Sequence, residues 1–385
     1  MNKNVFYFKL YKILFLTMLT DPVFVLYAYS AGLSANQIYL LTSLQTIFIV
    51  LLELPTGVIS DLFGCKSSIL VGIICYILSD IILLAAPSFP GFVVSVLFLS
   101  LYKVFVSGAD ETYLYLALEH KDSYTKTAGM LDSVNFILTA FVSISVGYLY
   151  SLNKRYPFLL SIVLCGISFL PAAKLENIRE TDKDIKTVRK LCGEFYSNIR
   201  NGLRISFTSR TLRWFFLYSA VVGFALVALS ETYQLFFLQH HIPVEYFGWI
   251  YFVLYIISSL SSKTAYYFKR FSVQNVFMVL LGMLVLTSFL MAWPCQYLIP
   301  VIILPRIVIG IYPAMLKEYI NKEITVDRAT IFSIRSLLSR IPQIVLLPVI
   351  GSMIDKSGFH AALLLLSVIL LLFAGVLKYS RKKCN

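Results

Sequence analysis

The stretch Gly57-Val-Ile-Ser-Asp61-Leu-Phe-Gly64-Cys-Lys66, preceded by Glu53-Leu-Pro55-Thr56, joins two long apolar segments and decides how the chain is read. Its form is G-x-x-x-D-x-x-G-x-[RK]. Two glycines allow a tight turn and a close approach of helices. The aspartate is placed to meet the positive end of a neighbouring helix. The lysine stands at the level of lipid headgroups. A charged, glycine-marked loop of this kind between apolar runs belongs at a membrane surface.

The composition agrees. Hydrophobic residues make up 58% of the 385 and charged residues 14%, with a mean hydropathy of +0.80. A soluble domain carries about 25% charged residues, so lipid must be the main solvent. At ~20 residues per crossing the chain holds twelve helices with short loops. Apolar runs place them near 10–30, 37–59, 68–86, 92–116, 128–150, 157–173, 213–238, 245–264, 273–292, 298–316, 329–350 and 360–378. Runs of these lengths fit helices and not strands. The first run is too long for a cleavable signal and lacks a small-residue cleavage site, so it is expected to stay in the protein.

The charges orient the chain. With the N-terminus inside, most of the 33 Lys and Arg fall on cytoplasmic segments, and Lys154, Arg155 and Lys356 fall outside. This follows the positive-inside rule and puts both termini in the cytoplasm, in a multi-pass protein of the inner (plasma) membrane. Trp214, Trp249 and Trp293 fall near helix ends, as an aromatic belt requires. The net charge of +13 is thus an orientation signal, and no nucleic acid is needed as a partner. Three segments result: an N-terminal six-helix bundle over 1–173, a polar linker over 174–212, and a C-terminal six-helix bundle over 213–385. Within the linker Ile185, Val188, Leu191, Phe195, Ile199 and Leu203 recur at helical spacing, which predicts an amphipathic helix on the inner membrane surface.

The loop at residues 57–66 resembles the cytoplasmic loop between helices 2 and 3 of the major facilitator superfamily. The resemblance implies two six-helix bundles built as parallel repeats around a central cavity, and a secondary transporter that is not an enzyme. The chain carries traces of such a repeat. At an offset of 210, Thr20-Asp21 falls on Ser230-Glu231, Ile38-Tyr39-Leu40 on Gly248-Trp249-Ile250, and Glu53 on Lys263. An offset of 202 puts Ser107-Gly108-Ala109 on Ile309-Gly310-Ile311. The second copy of the signature loop, Lys263 to Arg270, keeps only basic charge.

An ionisable side chain deep in the bilayer costs at least ~2.5–3.5 kcal/mol, so it faces a cavity or a partner. Asp21 lies well inside helix 1 and Pro22 follows it, which should disturb the helix and free backbone carbonyls. Glu231 takes the related place in helix 7. Lys103 lies near the middle of helix 4 and Arg306 at similar depth in helix 10. In the superfamily helices 1, 4, 7 and 10 line the cavity. The resemblance therefore implies a proton-coupling and substrate cavity holding two acids and two bases. Alternating exposure of Asp21 to water and to Lys103 or Arg306 would change its proton affinity, a route to coupling. A fixed structural ion pair at Asp21 or Glu231, or a reach to the outer headgroups, remains the other reading.

Gly57, Asp61, Gly64 and Lys66 form the conformational motif. Asp110 and Glu111, in a Ser-Gly-Ala-Asp-Glu stretch that resembles helix 4 of bacterial transporters of this superfamily, either join Lys66 or Arg335 as a cytoplasmic gate or are simply solvated at a widened inner mouth. Asp80, on a helix peripheral in this fold, reads as structural. The six cysteines are scattered without a C-x-x-C pair, and the His240-His241 pair reads as outer loop rather than a metal site. A phosphate loop of the G-x-x-x-x-G-K-[ST] kind is absent, and so is a G-x-S-x-G elbow. No cofactor or metal is expected.

The function that follows is alternating-access, proton-coupled export of small amphiphilic or cationic compounds by a monomer. Proton-coupled uptake of a nutrient or metabolite is the alternative, and a non-transporting receptor or scaffold a second one. Exporters of the antiporter type often carry a Gly-Pro motif on helix 5; here Phe136 to Tyr150 contains Gly147 and no proline.

Overall fold

The computed structural model describes residues 3–118, 124–178, 209–293, 295–323 and 328–382. Thirteen α-helices account for almost all of them. In chain order these are α1 (Lys3–Leu14), α2 (Phe24–Ser30), α3 (Ala35–Phe63), α4 (Cys65–Ala85), α5 (Phe89–Ala117), α6 (Tyr124–Leu152) and α7 (Tyr156–Ala173). After the linker come α8 (Arg210–Gln239), α9 (Phe247–Thr264), α10 (Val273–Met291), α11 (Ile303–Glu323), α12 (Arg328–Ser357) and α13 (Phe359–Lys382). Eleven helices among the described residues are long and apolar enough to cross a membrane. The twelfth crossing is the first, divided into α1 and α2.

The division is the main departure from the sequence expectation of one helix over 10–30. Turns occupy residues 17–23, and Pro22 weakens the helix within them: it brings no N–H and its ring clashes with the carbonyl four residues back. The amphipathic linker helix expected within 174–212 falls largely on residues 179–208, outside the described residues.

The chain separates into two compact units. Unit 1 comprises Met1–Leu33, Leu44–Leu191 and Pro243–Val253; unit 2 comprises Ser34–Ser43, Cys192–Ile242 and Leu254–Asn385. The first turns of α3 therefore belong to unit 2, and those of α9 to unit 1. These two strips stand at the same offset of about 210 residues that relates Asp21 to Glu231.

Lipid tails give helices no apolar drive to associate, so close packing and hydrogen bonds must hold each unit. In unit 1 the core joins α1, α4, α5 and α7 through Phe8, Tyr11, Ile73, Tyr76, Tyr113 and Cys165. Phe8 stacks on Tyr113 at 5.3 Å between centroids. The start of α9 comes close enough to α6 that Gly147 faces the carbonyls of Val244 and Glu245, and Gly248 those of Ser143 and Ile144. A side chain at either glycine would strike backbone. Gly147, without a following proline, serves here as a contact point.

In unit 2, α8 is the helix buried on most sides, with Trp214, Tyr218, Val222, Phe224, Tyr233 and Phe236 all enclosed. Tyr218 stacks on Phe277 at 4.6 Å and donates to its carbonyl at 2.8 Å. Trp214, read from sequence as a belt residue, is 4% exposed and donates to the Leu377 carbonyl at 3.0 Å. Trp249 and Trp293 are exposed. The start of α3 is capped twice within this unit. Ser34 and Gln37 exchange side-chain and backbone bonds as a capping box. The Asp355 carboxylate on α12 accepts from the amides of Ala35 at 3.0 Å and Asn36 at 2.9 Å.

Candidate transport site

The signature stretch folds differently from a loop. α3 continues to Phe63, so Gly57 and Asp61 lie in its last turns, where the structure describes the backbone alone. Only Gly64 makes the turn, with φ +88°, a left-handed conformation that favours glycine. Its open face is packed against the Asn177 side chain, and the next amide, of Cys65, donates to the Ile178 carbonyl at 3.1 Å. Lys66 follows half-buried in the first turn of α4. The motif thus docks on the segment after α7. That segment is held in turn by Asn4, which donates to Glu176 Oε2 at 2.7 Å and accepts from the Glu176 amide.

The break in helix 1 is made tolerable by its neighbours. Asn135 on α6 donates to the carbonyls of Lys12 at 2.8 Å and Phe15 at 3.3 Å. Tyr76 on α4 donates to the Thr17 carbonyl at 3.0 Å. Freed carbonyls in a bilayer need such donors, because an unsatisfied one costs several kcal/mol. Asp21 is exposed within the turns, its amide donating to the Met18 carbonyl.

One turn before the break, Lys12 pairs with Asp110 on α5 at 2.6 Å. Tyr11 donates to the other carboxylate oxygen at 3.2 Å. The acid is 7% exposed and the amine 29%. Such a pair offsets its desolvation cost only when further hydrogen bonds satisfy the carboxylate, which is the service Tyr11 supplies. The gate reading gave Asp110 to Lys66 or Arg335; its partner here is Lys12. Sequence spacing gave no sign of this, since the pair joins helices 98 residues apart.

Around this pair lies a cleft of about 410 Å³ in unit 1. Lys12, Lys103, Asp110 and Glu111 supply its charged lining, and Tyr102, Ser107 and Tyr124 add hydroxyls. Lys103 also donates to Gln45 Oε1 at 3.0 Å. Two amines and two carboxylates therefore share one cleft, but they are not the four predicted together: Lys103 is among them and Asp21 is not in the lining.

Glu231, Arg306 and Arg335 belong to unit 2. Glu231 accepts from Thr42 at 3.0 Å. Arg306 on α11 lies over the rings of Tyr233 at 5.6 Å and Tyr255 at 5.7 Å, contacts in which the ring faces attract the cation. Arg335 reaches Ser219 at 3.5 Å, and Tyr312 donates to the same hydroxyl at 3.1 Å.

Each unit thus carries ionisable side chains on its membrane-spanning helices. The family model described as Major Facilitator Superfamily matches residues 13–315. The chain belongs to this superfamily. It is a multi-pass membrane transporter and not a member of an enzyme class. A Bacillus subtilis (strain 168) protein described as the uncharacterized MFS-type transporter YxaM is 23% identical over 368 residues, which cover 91% of this chain and 89% of that one. Among solved structures, a variant of the nucleoside transporter NupG superposes with a TM-score of 0.81 at 14% identity, covering 98% of this chain and 99% of that one. A POT family transporter in complex with a thioalcohol-conjugated peptide gives 0.71 at 12% identity, covering 99% and 96%. At these identities the likeness is one of fold.

Sequence reasoning missed Asn135, Tyr76 and Gln45. The first and last had a readable signal, an uncharged amide inside an apolar span, where the bilayer leaves it no water to bond. Tyr76 had none, because tyrosine is common in both roles.

Proposed function

We propose that the chain carries a small polar metabolite bearing both positive and negative charge, by alternating access and together with protons moving in the same direction. The observation behind this reading is the cleft of about 410 Å³ in unit 1, where the Lys12–Asp110 ion pair lies in one lining with Lys103 and Glu111. A solute with an amine and a carboxylate finds Glu111 and Lys103 there as counter-charges, and polar orienting groups on an otherwise apolar wall are what small-molecule sites use. The solutes named for the similar folds, a nucleoside, a peptide and 5-aminolevulinic acid, are of the polar class. Uptake driven by the inward proton gradient fits such a solute.

Asp21 is the coupling carboxylate in this scheme. It stands exposed in the helix break, where water and a moving partner reach it in turn. Glu231 and Arg306 are the corresponding charged pair of positions in unit 2. The motif of Gly57, Asp61, Gly64 and Lys66 acts on the conformational change, and the termini face the cytoplasm of a monomeric plasma-membrane protein. Export of amphiphilic cations is the second reading, and the exposed acid at Asp21 is what favours it.

Proteoliposomes with an imposed pH gradient and a panel of amino acids, dipeptides, nucleosides and lipophilic cations test both. The expected result is uptake of a zwitterionic solute with protons moving in the same direction, abolished in Asp21→Asn while the protein stays folded. Proton movement opposite to a lipophilic cation establishes export instead. Full gradient-driven transport in Asp21→Asn removes Asp21 from the mechanism.

A further inference from the structure

A second cleft, of about 780 Å³, lies at the other end of unit 1. The end of α2, the turn at Pro87 between α4 and α5, the end of α6 and the stretch before α9 surround it. Gly64 and Pro87 stand at opposite ends of α4, whose 21 residues span roughly 30 Å. The cleft is therefore at the membrane face away from the signature turn. Its floor is neutral and bonded within itself: Tyr150 donates to the Ser30 hydroxyl at 3.5 Å, and Ser30 to the Tyr27 carbonyl at 2.9 Å.

Lys154, Arg155 and Glu245 bring charge to the lining, and all three are exposed. No ion pair engages any of them among the described residues. The two bases are neighbours on an ordered turn. There the Asn153 carboxamide oxygen accepts from the Arg155 amide at 2.9 Å, and the Asn153 carbonyl from the Tyr156 amide at 3.0 Å. Of the three bases that the charge pattern places outside, Lys154, Arg155 and Lys356, two thus meet in this cleft. Adjacent cations clear of any carboxylate suit a phosphate group. Two bases and one acid sum to one positive charge, the complement of a phosphodiester.

The surface below the cleft separates a lipid from a free anion. Leu159, Val163, Ile167 and Leu170 on α7 are all exposed, at spacings of three and four residues that keep them on one face. Arg155 stands one turn before Leu159, at the head of this stripe. From Leu159 to Leu170 the helix rises ~16 Å, close to the hydrocarbon depth of one leaflet, half of ~30 Å. A cationic head and an apolar strip one leaflet long match a phosphate and its acyl chain.

We infer that this cleft binds one anionic phospholipid with a hydroxylated headgroup. Lys154 and Arg155 hold its phosphodiester, Glu245 accepts from a headgroup hydroxyl, and an acyl chain lies along the α7 stripe. The inference does not rest on the solute, the coupling or the direction proposed above.

Native mass spectrometry of the full-length protein, released from micelles carrying phosphatidylglycerol, phosphatidylethanolamine or phosphatidylcholine, tests it. One phosphatidylglycerol is expected to be retained in preference to the other two lipids. Lys154→Gln combined with Arg155→Gln should weaken that retention roughly thirtyfold, the effect of two bases beside an anionic lipid. Lys154→Arg combined with Arg155→Lys should keep it, and Lys356→Gln, outside the cleft, should leave it unchanged. A measurement on the wild type alone is independent of how the variants fold: water-soluble glycerol phosphate at equal concentration should not displace the lipid. Equal retention of the three lipids, or retention unchanged in the glutamine pair, overturns the inference. Displacement by glycerol phosphate makes the cleft a site for a soluble anion and overturns it equally.

Discussion

Helix 1 and α8 stand at related places in the repeat, yet one is broken and the other runs unbroken for 30 residues. Asp21 sits in turns; Glu231, at the matching position, sits in regular helix and takes a bond from Thr42. Proline is the obvious difference, since Pro22 follows Asp21 and Arg210 to Gln239 contains none. Proline is not sufficient, however. α12 passes through Pro342 and Pro348 without interruption. What helix 1 has in addition is a set of donors, Asn135 and Tyr76, aimed at the carbonyls that a break exposes. A crossing is interrupted where a proline weakens it and neighbouring side chains take over its backbone bonds.

The comparison can be broken most forcefully in α8. Thr232→Pro puts a proline at the position matching Pro22, in a helix that runs unbroken from Arg210 to Gln239. A loss of about 3 kcal/mol or more is expected, read as a large drop in the thermal midpoint of the detergent-solubilised protein. Near-normal stability there would show that proline alone makes the break. Asn135→Ala withdraws the donor from two carbonyls of helix 1 and should cost roughly 2 kcal/mol, by the same measurement. An unchanged midpoint would mean that water or another group serves those carbonyls equally well. Pro22→Ala should have the smallest effect, under about 1 kcal/mol, because Asn135 and Tyr76 continue to hold the turns. Faster hydrogen exchange at residues 15–23 than in α8 should persist in this variant; protection equal to that of α8 would show that the helix has re-formed.

Much of the fold could be read from residues alone. Run length and hydropathy give the twelve crossings, because in lipid the backbone leaves few alternatives to helix. Pro22 announced an interruption, and Gly64 a turn. The extent of the break could not be read, because it depends on an asparagine more than a hundred residues away. Gly57 looked like a second turn residue and lies within α3, since a glycine pattern does not say which of its members bends. At the cleft the residue types were visible and their pairing was not. Lys12 counts in the sequence only as one more basic residue near the N-terminus, and in the structure it holds Asp110.

The caps on α3 have a consequence in time. The amides of Ala35 and Asn36 leave the ribosome early, but the carboxylate that receives them is at Asp355, about 320 residues later. At ~5–20 residues per second the wait is on the order of half a minute. Throughout that interval the second crossing lacks one of its two caps, and the capping box of Ser34 and Gln37 must hold its end unaided. A helix made about 320 residues later thus finishes one inserted well before it.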